Sequence, residues 1–263
     1  MPRRPMPWEL LPLLPLGILA GLLSGLLGIG GGLIFSPLLL ALGLPPHQAL
    51  ATSTLAIVPT TLAGSWAHLR SGLVPRPALL AIGLSAAAGA VLFSQASAGM
   101  ASWQLLALQS LMYSVLAVVV GPRPAGDAAA AEASGAPDLP LGGIAAVGLV
   151  SGLASGMLGV GGGLVMVPLL VRVLGLRVYL AIRLSTLAVC TASASASIGL
   201  LSDGRALPAM GLLLGGVAGL AAQWSAARLQ RVSERRLVQL LRLLCVLLAL
   251  DGLRRAVPLV LAG

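Results

Sequence analysis

The chain has 263 residues, of which 58% are hydrophobic and only 9% are charged, and its mean hydropathy is +1.02. These values exclude an ordinary soluble domain, in which about a quarter of the residues are charged. Apolar runs close to the ~20 residues that span a bilayer recur throughout and indicate a multi-pass membrane protein. The net charge of +9 comes from arginine alone, and only 3% of the residues are aromatic. We therefore assign the charge to membrane topology and expect no nucleic-acid partner.

Each half of the chain contains five apolar segments. They lie at about 9–28, 31–43, 47–69, 77–98 and 102–120 in the first half, and at about 140–158, 161–174, 178–201, 206–227 and 235–250 in the second. The first segment has the composition of a signal peptide, but it continues without a clear cleavage site, so we expect it to be retained. The pattern predicts an all-α polytopic membrane protein made of a first transmembrane repeat (1–120), a linker (121–139) and a second repeat (140–263).

Two glycine-rich stretches that lie 131 residues apart are nearly identical. Residues 24–33 read SGLLGIGGGL, residues 155–164 read SGMLGVGGGL, and Pro37 and Pro168 follow at the same offset. Glycine costs about 1 kcal/mol relative to alanine inside a helix, so both stretches predict glycine-broken helices. The second segment of each half is then ~20 Å long, too short to cross a ~30 Å core, and should be a half-helix or one limb of a hairpin.

The arginines predict that the two repeats are inverted. The turn after segment three carries Arg70 and Arg76 in the first half and is neutral in the second, whereas the turn after segment four is uncharged in the first half and holds four arginines in the second. Basic loops favour the cytoplasm, so we expect 71–75 and 228–236 inside and 98–102 and 202–205 outside. The alternative is that each broken stretch crosses once, which gives eight spans in parallel repeats.

Backbone groups that lose their helical hydrogen bonds at the breaks must be buried in protein or line a water-filled cavity. Half-helices that begin near Gly31 and Gly162 would point N–H groups into such a cavity. Two such ends predict an anion site near the midplane. The alternative is that the glycines serve a tight hairpin or close helix packing. The candidate substrate-binding residues at the breaks are Gly28, Gly30, Gly31, Gly32, Gly159, Gly161, Gly162 and Gly163.

The third segment of each half carries a stripe of small hydroxyl side chains. Ser53 and Thr54 correspond to Ser185 and Thr186, and we predict that all four contact the substrate. Deeper in the stripe, Thr61, Ser65, Ser193 and Ser197 serve equally well as ligands or as donors to their own i−4 carbonyls. Arg183 lies in an apolar run, where it would either pair with an anion or extend to the interface. Gln95 and Gln223 also correspond and either line the pathway or join helices.

The doubled Gly-Ile/Val-Gly-Gly-Gly core, the following prolines and the Ala51-Thr52-Ser53-Thr54 and Arg183-Leu184-Ser185-Thr186 signatures resemble the sulfite exporter TauE/SafE family. The resemblance covers nearly the whole chain, although Arg183-Leu184 replaces the small residues usual before the serine. It implies a permease for small anions such as sulfite, sulfoacetate or thiosulfate, working by alternating access or facilitated efflux. We expect a multi-pass protein of a bacterial inner membrane, with the bilayer and a small anion as partners and the oligomeric state open.

Other function classes find less support. His47 and His68 have no neighbouring ligand cluster in the sequence, so no metal or other cofactor is expected. An intramembrane hydrolase would use Ser24 or Ser36 with His68 and has no third, orienting group, so we do not expect an enzyme. A membrane scaffold without transport would leave the doubled breaks unexplained.

The acidic residues bear on the driving force. No Asp or Glu lies in the middle of an apolar segment, and Asp251 falls just beyond the last one. An intramembrane carboxylate relay is therefore not expected. The membrane potential, worth about 2.3 kcal/mol per charge and 100 mV, predicts electrogenic anion export.

Overall fold

The structure is a computed structural model that describes residues 13–70, 72, 74–119 and 140–261. Within these residues the regular structure is helical, without strands, which confirms the predicted all-α class. The predicted linker over 121–139 lies outside the described residues. The described helices are α1 (Leu13–Leu27), α2 (Gly32–Ala41), α3 (Pro46–Arg70), α4 (Arg76–Ala96), α5 (Ser102–Val119), α6 (Leu141–Leu158), α7 (Gly163–Arg172), α8 (Val178–Ser202), α9 (Pro208–Ala226) and α10 (Glu234–Leu261).

The helices have the lengths that a membrane protein needs. Among the described helices, α4, α6, α8 and α9 are long and apolar enough to span a bilayer, which confirms the polytopic class. Helices α3 and α8 have 25 residues each, about 37 Å at 1.5 Å per residue. Helices α2 and α7 have only 10 residues each, about 15 Å, and both contain a proline.

Left-handed glycines separate each short helix from the long helix before it, as predicted. No non-glycine residue in the described chain has a positive φ. L-residues with a Cβ rarely adopt this backbone region, so the sequence must supply glycine there. The glycines with positive φ at the breaks are Gly28 (69°), Gly30 (78°), Gly31 (80°), Gly159 (62°), Gly161 (88°) and Gly162 (67°).

The first helix of each half packs against the fourth helix of the other half. An added Cβ at Gly21 of α1 would overlap the carbonyl of Ala218 on α9, and one at Gly152 of α6 would overlap the carbonyl of Ala86 on α4. Gly25 and Gly156 are equally close to α9 and α4. Small residues allow this approach of two backbones, which is how membrane helices associate without a hydrophobic driving force between them.

The order of the contacts decides between a hairpin and a single crossing. Along α9, Gly211 and Gly215 lie against Thr52 and Ala56 of α3, so α3 and α9 are parallel. Helix α1 is also parallel to α9, because Gly21 and Gly25 lie against Ala218 and Ala222 in that order. Since α1 and α3 run in the same direction, the chain between them must return, and each broken stretch is one hairpin. The same holds for α6 and α8, which both run parallel to α4.

Helices α3 and α8, the matching third helices of the two halves, run antiparallel. Ser65 near the end of α3 approaches Thr186 near the start of α8, and Ile57 and Val189 lie together halfway along. This gives the molecule two ends. The arginine-rich end holds Arg70 and Arg76, and the Arg205 end holds Arg205 and Ser97. Antiparallel third helices are what inverted repeats require; their orientation in a membrane stays a prediction.

Candidate functional site

The two glycine breaks lie side by side at the centre of the bundle, between α3 and α8. An added Cβ at Gly32 would lie 2.6 Å from the Val160 carbonyl, and one at Gly163 would overlap the Gly28 carbonyl. The start of each half-helix therefore adjoins the break of the other half. Residues 28–32 and 159–163 pass each other in opposite directions, and we call them the glycine crossing.

Ser53 and Ser185 link the crossing to the third helices in a reciprocal way. Ser53 Oγ donates to the carbonyl of Gly159 at 2.8 Å, and Ser185 Oγ donates to the carbonyl of Gly28 at 2.7 Å. Both serines are fully buried. Each serine thus donates to a carbonyl of the other half. Unwound backbone in an apolar environment requires such partners for its polar groups. The sequence identified the serines but not the exchange between halves.

The backbone N–H groups at the crossing differ from these carbonyls in their hydrogen bonding. In the described part of the chain, the N–H groups of Gly30, Gly31, Gly32, Gly161 and Gly162 donate no backbone–backbone hydrogen bond outside the helices. Buried N–H groups without a partner are rare in folded proteins. Successive glycine N–H groups beside a helix start form a concavity that favours an anion. Here two such glycine stretches lie side by side.

The other hydroxyl groups of α3 and α8 mostly bond within their own helices. Thr54 donates to Leu50 and Thr186 to Ile182, each at 2.9 Å and each four residues back. Thr61 and Ser193 do the same deeper in the stripe. For these four positions the local alternative describes the structure, and a substrate contact at Thr54 or Thr186 stays a prediction.

Arg183 lies near the start of α8 at the arginine-rich end. The residue is 7% exposed, and its Nε has no hydrogen-bond partner among the described residues. Its neighbour Ile182 lies against Gly28 of the crossing. A buried guanidinium N–H therefore lies two residues before Ser185, which bonds to the crossing.

A cavity leads from the Arg205 end toward the other end of the crossing. Arg205 donates to Asp203 at 3.1 Å from Nε, and to Ser97 at 3.3 Å. The two halves therefore differ, with a paired arginine at one end and Arg183 at the other. We call the cavity the Arg205 vestibule; its lining includes His47, Thr54, Ser97, Gly156, Gly159 and Arg205.

Some functional candidates differ from the sequence-based expectation. Gln95 and Gln223 are exposed on the outside of the bundle, so neither lines an internal pathway. Ser151 was not predicted, yet its hydroxyl donates to the carbonyl of Gly162 at 2.8 Å. Alanine occupies the corresponding position 20, so comparison of the two halves gave no signal for Ser151.

The predicted end of the tenth apolar segment, at residue 250, is too early. Helix α10 continues to Leu261, eleven residues beyond the predicted end of the tenth segment at 250, so Asp251 is followed by ten helical residues. Arg254 and Arg255 lowered the apparent apolarity of this stretch and hid the continuation of the helix.

Comparison with known proteins gives a family match over most of the chain. The family model described as Sulfite exporter TauE/SafE matches residues 13–251. A probable membrane transporter protein of Xylella fastidiosa (strain 9a5c) is 33% identical over 66% of this chain and 67% of its own length. Sulfite exporter TauE/SafE family proteins 3 and 6 of Arabidopsis thaliana are 56% and 52% identical over short stretches.

The matched stretches of the two Arabidopsis proteins cover 16% of this chain and only 9% and 10% of those proteins. No solved structure matches the chain. The family match nevertheless covers almost all of the described helices, including both glycine breaks and both third helices. The chain therefore belongs to the sulfite exporter TauE/SafE family of membrane transporters.

Proposed function

We propose that this protein is a permease for small oxyanions, with sulfite, sulfoacetate and thiosulfate as the substrate class, in a bacterial inner membrane. The observation that carries the proposal is the pair of adjoining glycine stretches, in which the N–H groups of Gly30 to Gly32 and Gly161 to Gly162 donate no backbone–backbone hydrogen bond outside the described helices. These donors and the positive ends of two half-helices favour a negative ligand. Neutral donors also bind an anion weakly enough to release it.

The two ends of the molecule supply the approach routes in this proposal. An anion from one side enters the Arg205 vestibule, which reaches Gly159 of the crossing. From the other side it meets Arg183, whose neighbour Ile182 adjoins Gly28. The crossing itself is tightly packed, since a Cβ at Gly30 would lie 2.6 Å from Val189 and 2.9 Å from Ile57. Transport therefore requires movement of the breaks relative to α3 and α8, by alternating access or by transient opening for efflux.

The sulfur chemistry in this proposal comes from the family and from the names of the relatives. The crossing accounts for negative charge and small size, and it offers no group that distinguishes sulfur from carbon. A binding screen of the purified protein should therefore include sulfite, sulfate, thiosulfate, sulfoacetate and simple carboxylates. We expect sulfur oxyanions to bind more tightly than carboxylates of equal charge, measured by isothermal titration in detergent. Equal binding of all of them would refute the substrate class and leave an anion permease.

Flux measurements test the crossing directly. Gly31→Leu and Gly162→Leu should abolish anion flux in proteoliposomes, because leucine opposes a positive φ and fills the space at the start of each half-helix. Gly142→Leu is the matched control, since nothing lies within 4 Å of a Cβ at Gly142. Wild-type flux in well-folded Gly31 and Gly162 variants would show that the anion does not pass the crossing.

A further inference from the structure

Asp251 lies at half depth in the bundle. Gly252, the next residue, packs so closely on Ser110 that an added Cβ would overlap the serine hydroxyl. Ser110 is in the middle of α5, an apolar helix that runs from Ser102 to Val119. The carboxylate is thus level with the centre of α5, where a charge is costly and requires a reason.

The Asp251 side chain lines a narrow cavity between three helices. Gln109 and Tyr113 of α5 face it, and Pro37 and Leu40 of α2 form the opposite wall. Asp251 is half-buried, and Tyr113 is 2% exposed. The carboxyl group therefore faces two polar side chains within an otherwise apolar lining.

A chain of hydrogen bonds connects this cavity to the half-helix α2. Gln109 Nε2 donates to the Tyr113 hydroxyl at 2.9 Å and to Ser36 Oγ at 3.1 Å. Tyr113 accepts in this pair, so its own O–H remains able to donate, and Asp251 lines the same cavity. Ser36 lies four residues after Gly32, about 6 Å along α2, so the chain ends about one helical turn from the glycine crossing.

The described lining of the cavity contains one titratable group besides Asp251. Tyr113 is the only one that α5 contributes to the cavity lining, and α2 contributes none. On α10 itself, Cys245 is buried about two turns earlier, and the exposed Arg254 follows within one turn. Arg254 lies toward the Arg205 end of α10, whereas the Gln109–Tyr113 chain extends sideways to α2.

Resting on the proposed function, we propose that Asp251 is the coupling site of the transporter, which binds one proton and carries it in the same direction as the anion. A carboxylate in the same low-dielectric bundle repels an anion at the crossing, so protonation of Asp251 favours anion binding, and anion binding favours protonation. In each cycle the carboxyl oxygen takes a proton from water on one side and returns it to water on the other. This replaces the purely potential-driven export that the sequence predicts.

The test uses the full-length protein in proteoliposomes clamped at zero potential with potassium and valinomycin. The probe is whichever of thiosulfate and sulfoacetate the wild type carries, because neither changes charge near neutral pH. We expect a one-unit pH gradient to drive accumulation toward about tenfold, since one coupled proton contributes 1.36 kcal/mol per pH unit. We also expect a pH dye inside the vesicles to report acidification as the anion enters.

The variants separate coupling from folding. Asp251→Asn should keep anion exchange without a gradient but lose the response to the pH gradient, whereas Asp251→Glu should keep the response. Tyr113→Phe should weaken it. Ser114→Ala is the control, because Ser114 is exposed beside Tyr113 and its hydroxyl donates to the Ser110 carbonyl of its own helix.

Failure of this proposal differs from failure of the permease itself. Wild-type flux that ignores the pH gradient, entry without acidification, or an Asp251→Asn variant that responds like the wild type would each overturn the coupling role and leave the permease intact. The dye measurement needs only the wild type, so it tests whether a proton enters with the anion even if Asp251→Asn does not fold. Absence of flux for every anion in folded wild-type protein would instead refute the proposed function.

Discussion

Ser53 and Ser185 show how one residue type supports the site in both halves. Each donates its single hydroxyl proton to a carbonyl of the opposite break, at 2.8 and 2.7 Å. A hydroxyl that has donated its proton can only accept a further hydrogen bond. In this conformation the serines therefore position the crossing, and the backbone N–H groups remain the available donors to an anion.

Ser53→Ala and Ser185→Ala should each lower the free energy of unfolding by about 1–3 kcal/mol, the cost of a buried carbonyl without its partner. Thermal unfolding in detergent should show similar decreases of Tm for both variants, because the two bonds are equivalent. Ser202→Ala, which removes an exposed hydroxyl at the end of α8, should change Tm little. Decreases no larger than that of the control would show that the serine bonds do not hold the breaks.

The Arg205–Asp203 pair leads to a prediction about substrate access. Removing the cation by Arg205→Gln should raise the anion concentration at half-maximal flux by about fivefold, the effect of roughly 1 kcal/mol. Asp203→Asn should lower that concentration, because the guanidinium is then free to attract the anion. Initial-rate flux from the Arg205 side measures both. Arg76→Gln is the control, because Arg76 lies at the arginine-rich end, away from the vestibule. Identical shifts of the half-maximal concentration in all three variants would exclude a role of the vestibule in substrate access.

At the scale of elements, α2 and α7 each begin in contact with the backbone of the other half's glycine break. Gly32 and Gly163 have no positive φ, so alanine is compatible with their conformation. The obstacle is contact alone, with Val160 in one case and Gly28 in the other. This separates them from Gly31 and Gly162, where the backbone conformation itself requires glycine.

Gly32→Ala and Gly163→Ala should therefore separate the two break segments and reduce flux at least tenfold, because backbone atoms cannot yield as a flexible side chain can. Gly216→Ala in α9 is the matched control, since a Cβ there meets nothing within 4 Å. Flux in proteoliposomes and Tm should be measured together. Control-like flux in both variants would mean that the close contact at the crossing is dispensable.

The whole molecule has two chemically different ends. Arg70 stacks on Trp66 at the end of α3, and Arg228 stacks on Trp224 at the end of α9, with the guanidinium 4.9 and 3.9 Å from the ring centroids. Amphipathic rings with adjacent arginines are typical of a membrane interface. Since α3 and α9 are parallel, both anchors mark the arginine-rich end, which the positive-inside rule assigns to the cytoplasm.

Labelling tests this orientation. A cysteine at position 233, in place of Ser233, should be protected from an impermeant thiol reagent added to intact cells, and one in place of Ser202 should react. Both positions are exposed and lie at opposite ends of α9. Opening the cells should make position 233 reactive. Strong labelling at 233 with none at 202 in intact cells would reverse the proposed orientation.

The sequence by itself determined the helical class, the ten segments and the glycine breaks, because these depend on local composition and on the φ values that only glycine adopts freely. The duplicated signatures also selected Ser53 and Ser185. The sequence did not show which residues of the two halves contact each other. That Ser53 serves Gly159, that each broken stretch is a hairpin, and that Asp251 faces Tyr113 and Gln109 were decided by tertiary contacts. Such contacts join residues far apart in the chain, and a local pattern carries no information about which distant backbone will lie against it.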